Sequence, residues 1–228
     1  MPEVRPGTVL VKNTGTAVCG SDLHGWRGDG ARRGATPRKR VPGHEFSGVI
    51  HSLGEGITTD SLHRPVAEGD KVVFPFFFPC MRCVNCLKNQ LFACAFRMRP
   101  NIRLPFEEYP YCDGGFAEYF LLQPGHFMFK APEELPDPTL ATVNCSMSQV
   151  MMGWQFASIQ DGDRIVVQGA GGLGIYATAI AAEKGASQVI VVDGQQARLD
   201  LAMRCGATST INLTEYDTPE ARVDRVKE

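Results

Sequence analysis

Four cysteines, Cys80, Cys83, Cys86 and Cys94, stand at the spacing Cys-x2-Cys-x2-Cys-x7-Cys, and no other feature limits the fold of this chain so tightly. Two successive x2 spacings gather soft ligands in one short loop, enough to close a tetrahedral thiolate shell around Zn²⁺ with no coordination position left open. Such a closed shell is structural. It cross-links a segment poor in regular structure, so that metal binding becomes part of the folding free energy. The N-terminal stretch MPEVRPG lacks the apolar core of a secretory signal, so the expected setting is cytoplasmic. Thiols stay reduced there, which favours metal ligation over disulfides.

With 228 residues, 43% hydrophobic and 21% charged, the chain can build one large or two small domains with real cores. A formal net charge of -2 gives no electrostatic reason to expect nucleic acid or an anionic membrane as partner. No apolar run approaches the roughly 18 to 20 residues of a membrane helix. The basic cluster Arg38-Lys39-Arg40, with Arg32 and Arg33 nearby, lies in a Gly/Pro loop and reads as solvated charge.

The texture of the chain changes once. Residues 1–155 are dense in Gly, Pro and short alternating apolar runs such as Thr8-Val9-Leu10-Val11 and Phe116-Ala117-Glu118-Tyr119-Phe120, the mark of a mainly β domain. Residues 156–228 follow an α/β pattern. A strand over Arg164 to Gln168 enters a glycine turn, an Ala-rich helix runs to Lys184 and stops at Gly185, and a second strand over Gln188 to Val192 ends in Asp193. A helix from Gln196 to Arg204, a short strand near Ser209 to Leu213, and a helix capped by Thr218 with Pro219 at its first position complete the order.

The turn is Gly169-x-Gly171-x-x-Gly174, containing Gly172 and Leu173. As a bare pattern it is weak, but here it follows a strand, opens a helix and is answered by Asp193, 19 residues past Gly174, at the end of the next strand. This is the context of a Rossmann dinucleotide fingerprint: the glycines admit a pyrophosphate to the helix N-terminus, and an acidic residue accepts hydrogen bonds from the adenosine ribose. Asp193 would repel a 2′-phosphate, so NAD is expected over NADP.

A second constellation joins Cys19-Gly20-Ser21-Asp22-Leu23-His24 to Gly43-His44-Glu45. A thiolate and an imidazole are two parts of a catalytic zinc shell, which keeps a position open for substrate oxygen. Taken singly, the Cys reads as a small buried hydrophobe and the His as a polar surface or packed residue.

The order CGSDxH, GHE, CxxCxxCx7C, GGFAEY and GxGxxG resembles the medium-chain zinc-containing alcohol dehydrogenase family, from about Val9 to Asn212. The resemblance implies a GroES-like catalytic domain followed by a Rossmann domain, two zinc sites, and hydride transfer between an alcohol or polyol (or the matching carbonyl) and NAD. It implies Cys19, His44 and Cys145 as catalytic zinc ligands. Glu45 becomes an alternative ligand or a group tuning the metal, and Asp22 a residue orienting a ligand. In the mechanism so implied, the metal lowers the pKa of the bound alcohol and stabilises its alkoxide. Ser21 would take the proton and His24 pass it through the cofactor ribose to solvent, though Ser21 also reads as a turn hydroxyl. Arg198 matches a basic residue near the ribose, or is a solvated helix charge. Trp26 lines a substrate cleft or simply packs; Phe74, Phe76, Phe77 and Phe78 read as core or interface, and Cys112 and Cys205 as packing. Full-length relatives are expected to be homo-oligomers.

Three strands of a six-stranded dinucleotide fold are present, which leaves the first, around Ile165-Val166-Val167, as an expected bare edge. The sequence therefore reads as a family member truncated at both ends, with a non-catalytic zinc-binding fragment as the alternative. A zinc-free NADPH quinone reductase is disfavoured by Cys80 to Cys94 and by Asp193.

Overall fold

The computed structural model describes residues 1–29, 41–76, 79–96, 107–111 and 114–228. Arg32, Arg33, Arg38, Lys39, Arg40, Phe77, Phe78 and Cys112 lie outside the described residues. The chain divides into two compact units, Met1–Cys145 and Ser146–Glu228.

In the first unit, five strands form an antiparallel sheet. In chain order these are β1 (Val9–Ala17), β2 (Glu45–Leu53), β3 (Lys71–Val73), β4 (Tyr119–Leu122) and β5 (Phe129–Lys130), and in space they run β4-β1-β2-β3-β5. Alternation decides which side chains go inside. Val9 and Val11 of β1, Phe46 and Ile50 of β2, Val72 of β3, and Phe120 and Leu122 of β4 share one buried cluster with Phe74 and Met128. Phe46 meets Phe74 and Phe120 edge-on, at centroid separations of 5.2 and 4.9 Å. Phe74 thus belongs to the core. The strand begins at Tyr119 rather than at the expected Phe116: the Glu118 carbonyl still accepts from the Asn13 N–H at 2.8 Å, but before it the Asn13 side chain donates to the Ala117 carbonyl at 2.7 Å and Thr16 to the Gly115 carbonyl at 2.8 Å.

Among the described residues up to 157 there are four α-helices, α1 (Gly20–Trp26), α2 (Val84–Leu87), α3 (Asp137–Ala141) and α4 (Ser148–Ala157), with a 3-10 turn over Leu91–Ala93 and a π-helical turn over Val143–Met147. The division between units falls at Cys145, whereas the sequence texture changes near residue 155. The cause is α4, whose Trp154 packs on the core of the second unit.

The second unit is a parallel sheet in the order β6 (Arg164–Gln168), β7 (Gln188–Asp193), β8 (Ser209–Asn212). Helices α5 (Gly172–Glu183), α6 (Gln196–Arg204) and α7 (Pro219–Lys227) alternate with it. The apolar run of β7 is buried on both faces: Val189 and Val191 pack with Ala181, Leu199 and Ala202 on one side, Ile190 and Val192 with Ile211, Tyr216 and Val226 on the other. Thr218 caps α7 by accepting from the Ala221 N–H at 3.1 Å. Among the described residues β6 ends the sheet, and its Val166 is 43% exposed.

Candidate metal centres and dinucleotide turn

The four cysteines of the loop converge. Sγ of Cys83 lies 3.5 Å from that of Cys86 and 3.9 Å from that of Cys94, and Cys80 and Cys86 are 4.0 Å apart. A tetrahedron built on ~2.3 Å zinc–sulfur bonds has edges of ~3.8 Å, so these spacings fit the ion. The loop also sorts its thiols electrostatically. The Cys86 N–H holds Cys83 down at about 6, whereas burial drives Cys86 up to about 12. Cys80 is lowered, chiefly by the N–H of Arg82. Such sulfurs compete for negative charge, which a divalent cation would neutralise.

The second cluster is assembled by strand register. Ala17, the last residue of β1, pairs with Glu45, the first of β2. The residues just past one strand and just before the other are therefore neighbours, which brings Cys19 beside His44 and Glu45. Cys145 arrives from far along the chain. Helix α3 packs on this sheet, with Ser47 Oγ donating to the Asp137 carbonyl at 3.4 Å, and Asn144 donates its amide to the carbonyls of Phe46 and Phe74 at 3.4 and 3.1 Å. One ligand atom from each of Cys19, His44, Glu45 and Cys145 lies within 4.8 Å of the others.

Two nitrogen and oxygen contacts orient this cluster. The Cys19 N–H donates to Asp22 Oδ2 at 2.9 Å, and the other oxygen of Asp22 lies 3.4 Å from His44 Nδ1. With Nδ1 turned to a carboxylate, Nε2 is the atom left to ligate, the usual outer-shell arrangement of a metal histidine. Glu45 and Cys145 are buried. Burial, then the hydrogen bond and charge of Glu45, raises the Cys145 thiol far above its ordinary value. A thiol so disfavoured as an anion beside a carboxylate fits a place where a cation would offset both charges. The His44 ring is 4.9 Å from that of Phe76, which walls the site rather than filling the core.

Of the other expected site residues, Ser21 and His24 sit on α1, exposed. His24 Nδ1 meets Asp29 Oδ2 at 2.7 Å. Trp26 is 83% exposed, so it packs in no core among the described residues.

In the second unit, Gly171 caps α5 and Gly172 begins it, and a Cβ added to either would meet nothing within 4 Å. Such space at the N-terminus of a 12-residue helix fits a phosphate group. Gly174 is constrained instead: a Cβ there would fall 1.7 Å from the Gly169 carbonyl oxygen, so the turn closes only on glycine. Asp193 ties the turn to β7, accepting from the N–H of Ala170 at 2.7 Å and of Gln195 at 2.8 Å. The Ala170 bond, with that of Gln195 and the charge of Arg198, outweighs burial and keeps the carboxyl ionised below its ordinary range. Arg198 reaches to 3.9 Å from Asp193 and is more than half exposed. Leu173 is also exposed.

Asn144 and Asp29 escape sequence reasoning, and Phe76 is expected there only as core or interface, because each acts through a contact made by the fold; for Asp29 the signal was Gly28, a helix stop four residues past His24.

Residues 5–133 match the alcohol dehydrogenase GroES-like domain family. The chain is 34% identical over 231 residues to the 5-exo-hydroxycamphor dehydrogenase of Pseudomonas putida, covering 98% of this chain and 60% of that protein. It is 34% identical over 211 residues to the D-xylulose reductase A of Aspergillus niger, covering 92% and 55%. The crystal structure of an alcohol dehydrogenase from Thermotoga maritima superposes with a TM-score of 0.86 at 29% identity, covering 98% of this chain and 60% of that one. The chain thus spans 55 to 60% of the length of these relatives.

Proposed function

Because the chain belongs to the medium-chain zinc-containing alcohol dehydrogenase family, we propose that it serves a zinc- and NAD-dependent oxidoreductase moving a hydride between an alcohol or polyol and the cofactor. The observation that carries this reading is the convergence of Cys19, His44, Glu45 and Cys145, drawn from three separate stretches of chain onto one point. In this reading Cys19, His44 and Cys145 hold the catalytic zinc, with Glu45 beside them, while Cys80, Cys83, Cys86 and Cys94 hold a structural one. Bound there, the metal would polarise the substrate oxygen as a Lewis acid, and NAD would accept the hydride.

The protein's own groups do the rest. Asp22 fixes the ring of His44, and Phe76 keeps an apolar wall against it. Ser21 and His24 move the substrate proton outward, one turn apart on the same face of α1. In the second unit, Gly169, Gly171, Gly172, Leu173 and Gly174 cradle the cofactor pyrophosphate. Asp193 accepts from the adenosine ribose and disfavours a 2′-phosphate, which supports NAD over NADP, and Arg198 lies beside it. The relatives' names support a small alcohol or carbonyl substrate, one a hydroxycamphor and one a xylulose. Every cysteine among the described residues is free, which suits a reducing cytoplasmic setting, and no described helix is long and apolar enough to cross a membrane.

The test is NAD reduction, followed at the NADH absorbance, with a panel of secondary alcohols and polyols. Turnover that is lost in Cys19→Ala and His44→Ala supports the reading; turnover unchanged in both variants contradicts it.

A further inference from the structure

Helix α1 ends in a way that carries a consequence for His24. Gly28, at φ +73, donates its N–H to the Gly25 carbonyl at 3.2 Å, and Asp29 donates its N–H to the His24 carbonyl at 3.1 Å. These are the two backbone bonds of a Schellman motif, with Gly28 as the left-handed residue. The motif brings the residue after the glycine back over the third residue from the helix end. That pair is commonly two apolar side chains. Here it is a carboxylate and an imidazole: Asp29 Oδ2 lies 2.7 Å from His24 Nδ1.

We propose that Asp29 is a positioning residue that fixes His24 in its Nδ1–H tautomer, leaving Nε2 as the one ring atom able to accept a proton. An ionised carboxylate only accepts hydrogen bonds, so the proton between the two must belong to Nδ1. In the relay of the preceding section, on which this inference rests for its purpose, the proton leaving the alcohol passes by way of Ser21 to Nε2. The ring is then an imidazolium whose Nδ1–H still faces Asp29. It returns to neutrality by giving the Nε2 proton to water, so the sequence changes only O–H and N–H bonds. The His24 side chain is 69% exposed, which puts that last transfer within reach of solvent. The backbone bonds set the geometry without the Asp29 side chain, so its removal leaves the helix end intact.

The experiment is long-range ¹H–¹⁵N correlation of the histidine rings at about pH 9, where imidazole is neutral, with the His24 signals assigned through His24→Gln. The unmutated chain should show His24 mainly as Nδ1–H. Asp29→Ala should lower the ratio of Nδ1–H to Nε2–H about fivefold, the upper range for an exposed ion pair, while the other histidine signals stay in place as a check on folding. A merely structural Asp29 would alter stability and leave the tautomer alone. An Nε2–H majority in the unmutated chain, or a ratio unmoved in Asp29→Ala, would overturn the proposal. Because the readout needs no turnover, absence of alcohol oxidation would count against the functional reading and not against the pair.

Discussion

Asn144 donates its side-chain amide to the backbone carbonyl of Phe74 at 3.1 Å, and through that contact the residue next to it, Cys145, is held against the sheet that carries Glu45. Replacing Asn144 by Leu leaves two partly buried carbonyls, of Phe46 and Phe74, without this donor. We expect a loss of about 1 to 3 kcal/mol in urea denaturation, together with weaker metal retention at the Cys19 cluster than at the four-cysteine loop. Equal retention at both would mean that Asn144 does not place Cys145.

His126 supplies a pH dependence of stability. Its Nε2 meets the Pro75 carbonyl at 2.8 Å, and burial lowers its pKa to about 4 despite that bond. In the unfolded chain an ordinary histidine takes up its proton near 6.5. The unfolded state therefore binds more protons between those values, and stability falls as the pH drops from about 6.5 to about 4, by up to about 3 kcal/mol. His126→Phe should flatten this segment of the stability profile. A slope unchanged by that substitution would assign the acid sensitivity to other groups.

Substitution can separate the turn-holding bonds of Asp193 from the cofactor preference proposed for it. Asp193→Ala removes the acceptor for the Ala170 and Gln195 N–H groups as well as the charge; Asp193→Asn keeps an acceptor and removes the charge alone. Asp193→Ala is expected to cost about 1 to 3 kcal/mol, and both variants to narrow the preference for NAD over NADP, measured by calorimetric titration of the two cofactors. An unchanged preference would confine Asp193 to holding the turn.

These contrasts show which parts of the protein were readable from its sequence. The loop of Cys80 to Cys94 and the turn from Gly169 to Asp193 are local, so spacing, with the strand and helix that flank the turn, makes them legible. The same holds for Gln196–Arg204, whose helical periodicity and following glycine mark its ends. The cluster of Cys19, His44, Glu45 and Cys145 was readable only in pieces: Cys19 and His44 sit beside motifs, but their meeting depends on the register that pairs Ala17 with Glu45. Cys145 has no local motif and came from family resemblance. Asn144 was not identified, and Phe76 was read as core or interface rather than as a neighbour of His44, since one acts through backbone carbonyls some 70 to 98 residues away and the other through a ring contact. The alternation misleads only at Phe116 and Ala117, where the Asn13 amide takes the Ala117 carbonyl and the Thr16 hydroxyl the preceding Gly115 carbonyl, whereas the Glu118 carbonyl already pairs with the Asn13 N–H.

Zinc analysis of the purified protein decides whether the chain builds two metal centres, one of them the open, catalytic kind. The expected content is two zinc ions per chain, falling to one in Cys19→Ala, with the remaining ion lost only when a cysteine of the loop such as Cys86 is also replaced. One zinc in the unmutated protein, unaffected by Cys19→Ala, would contradict it.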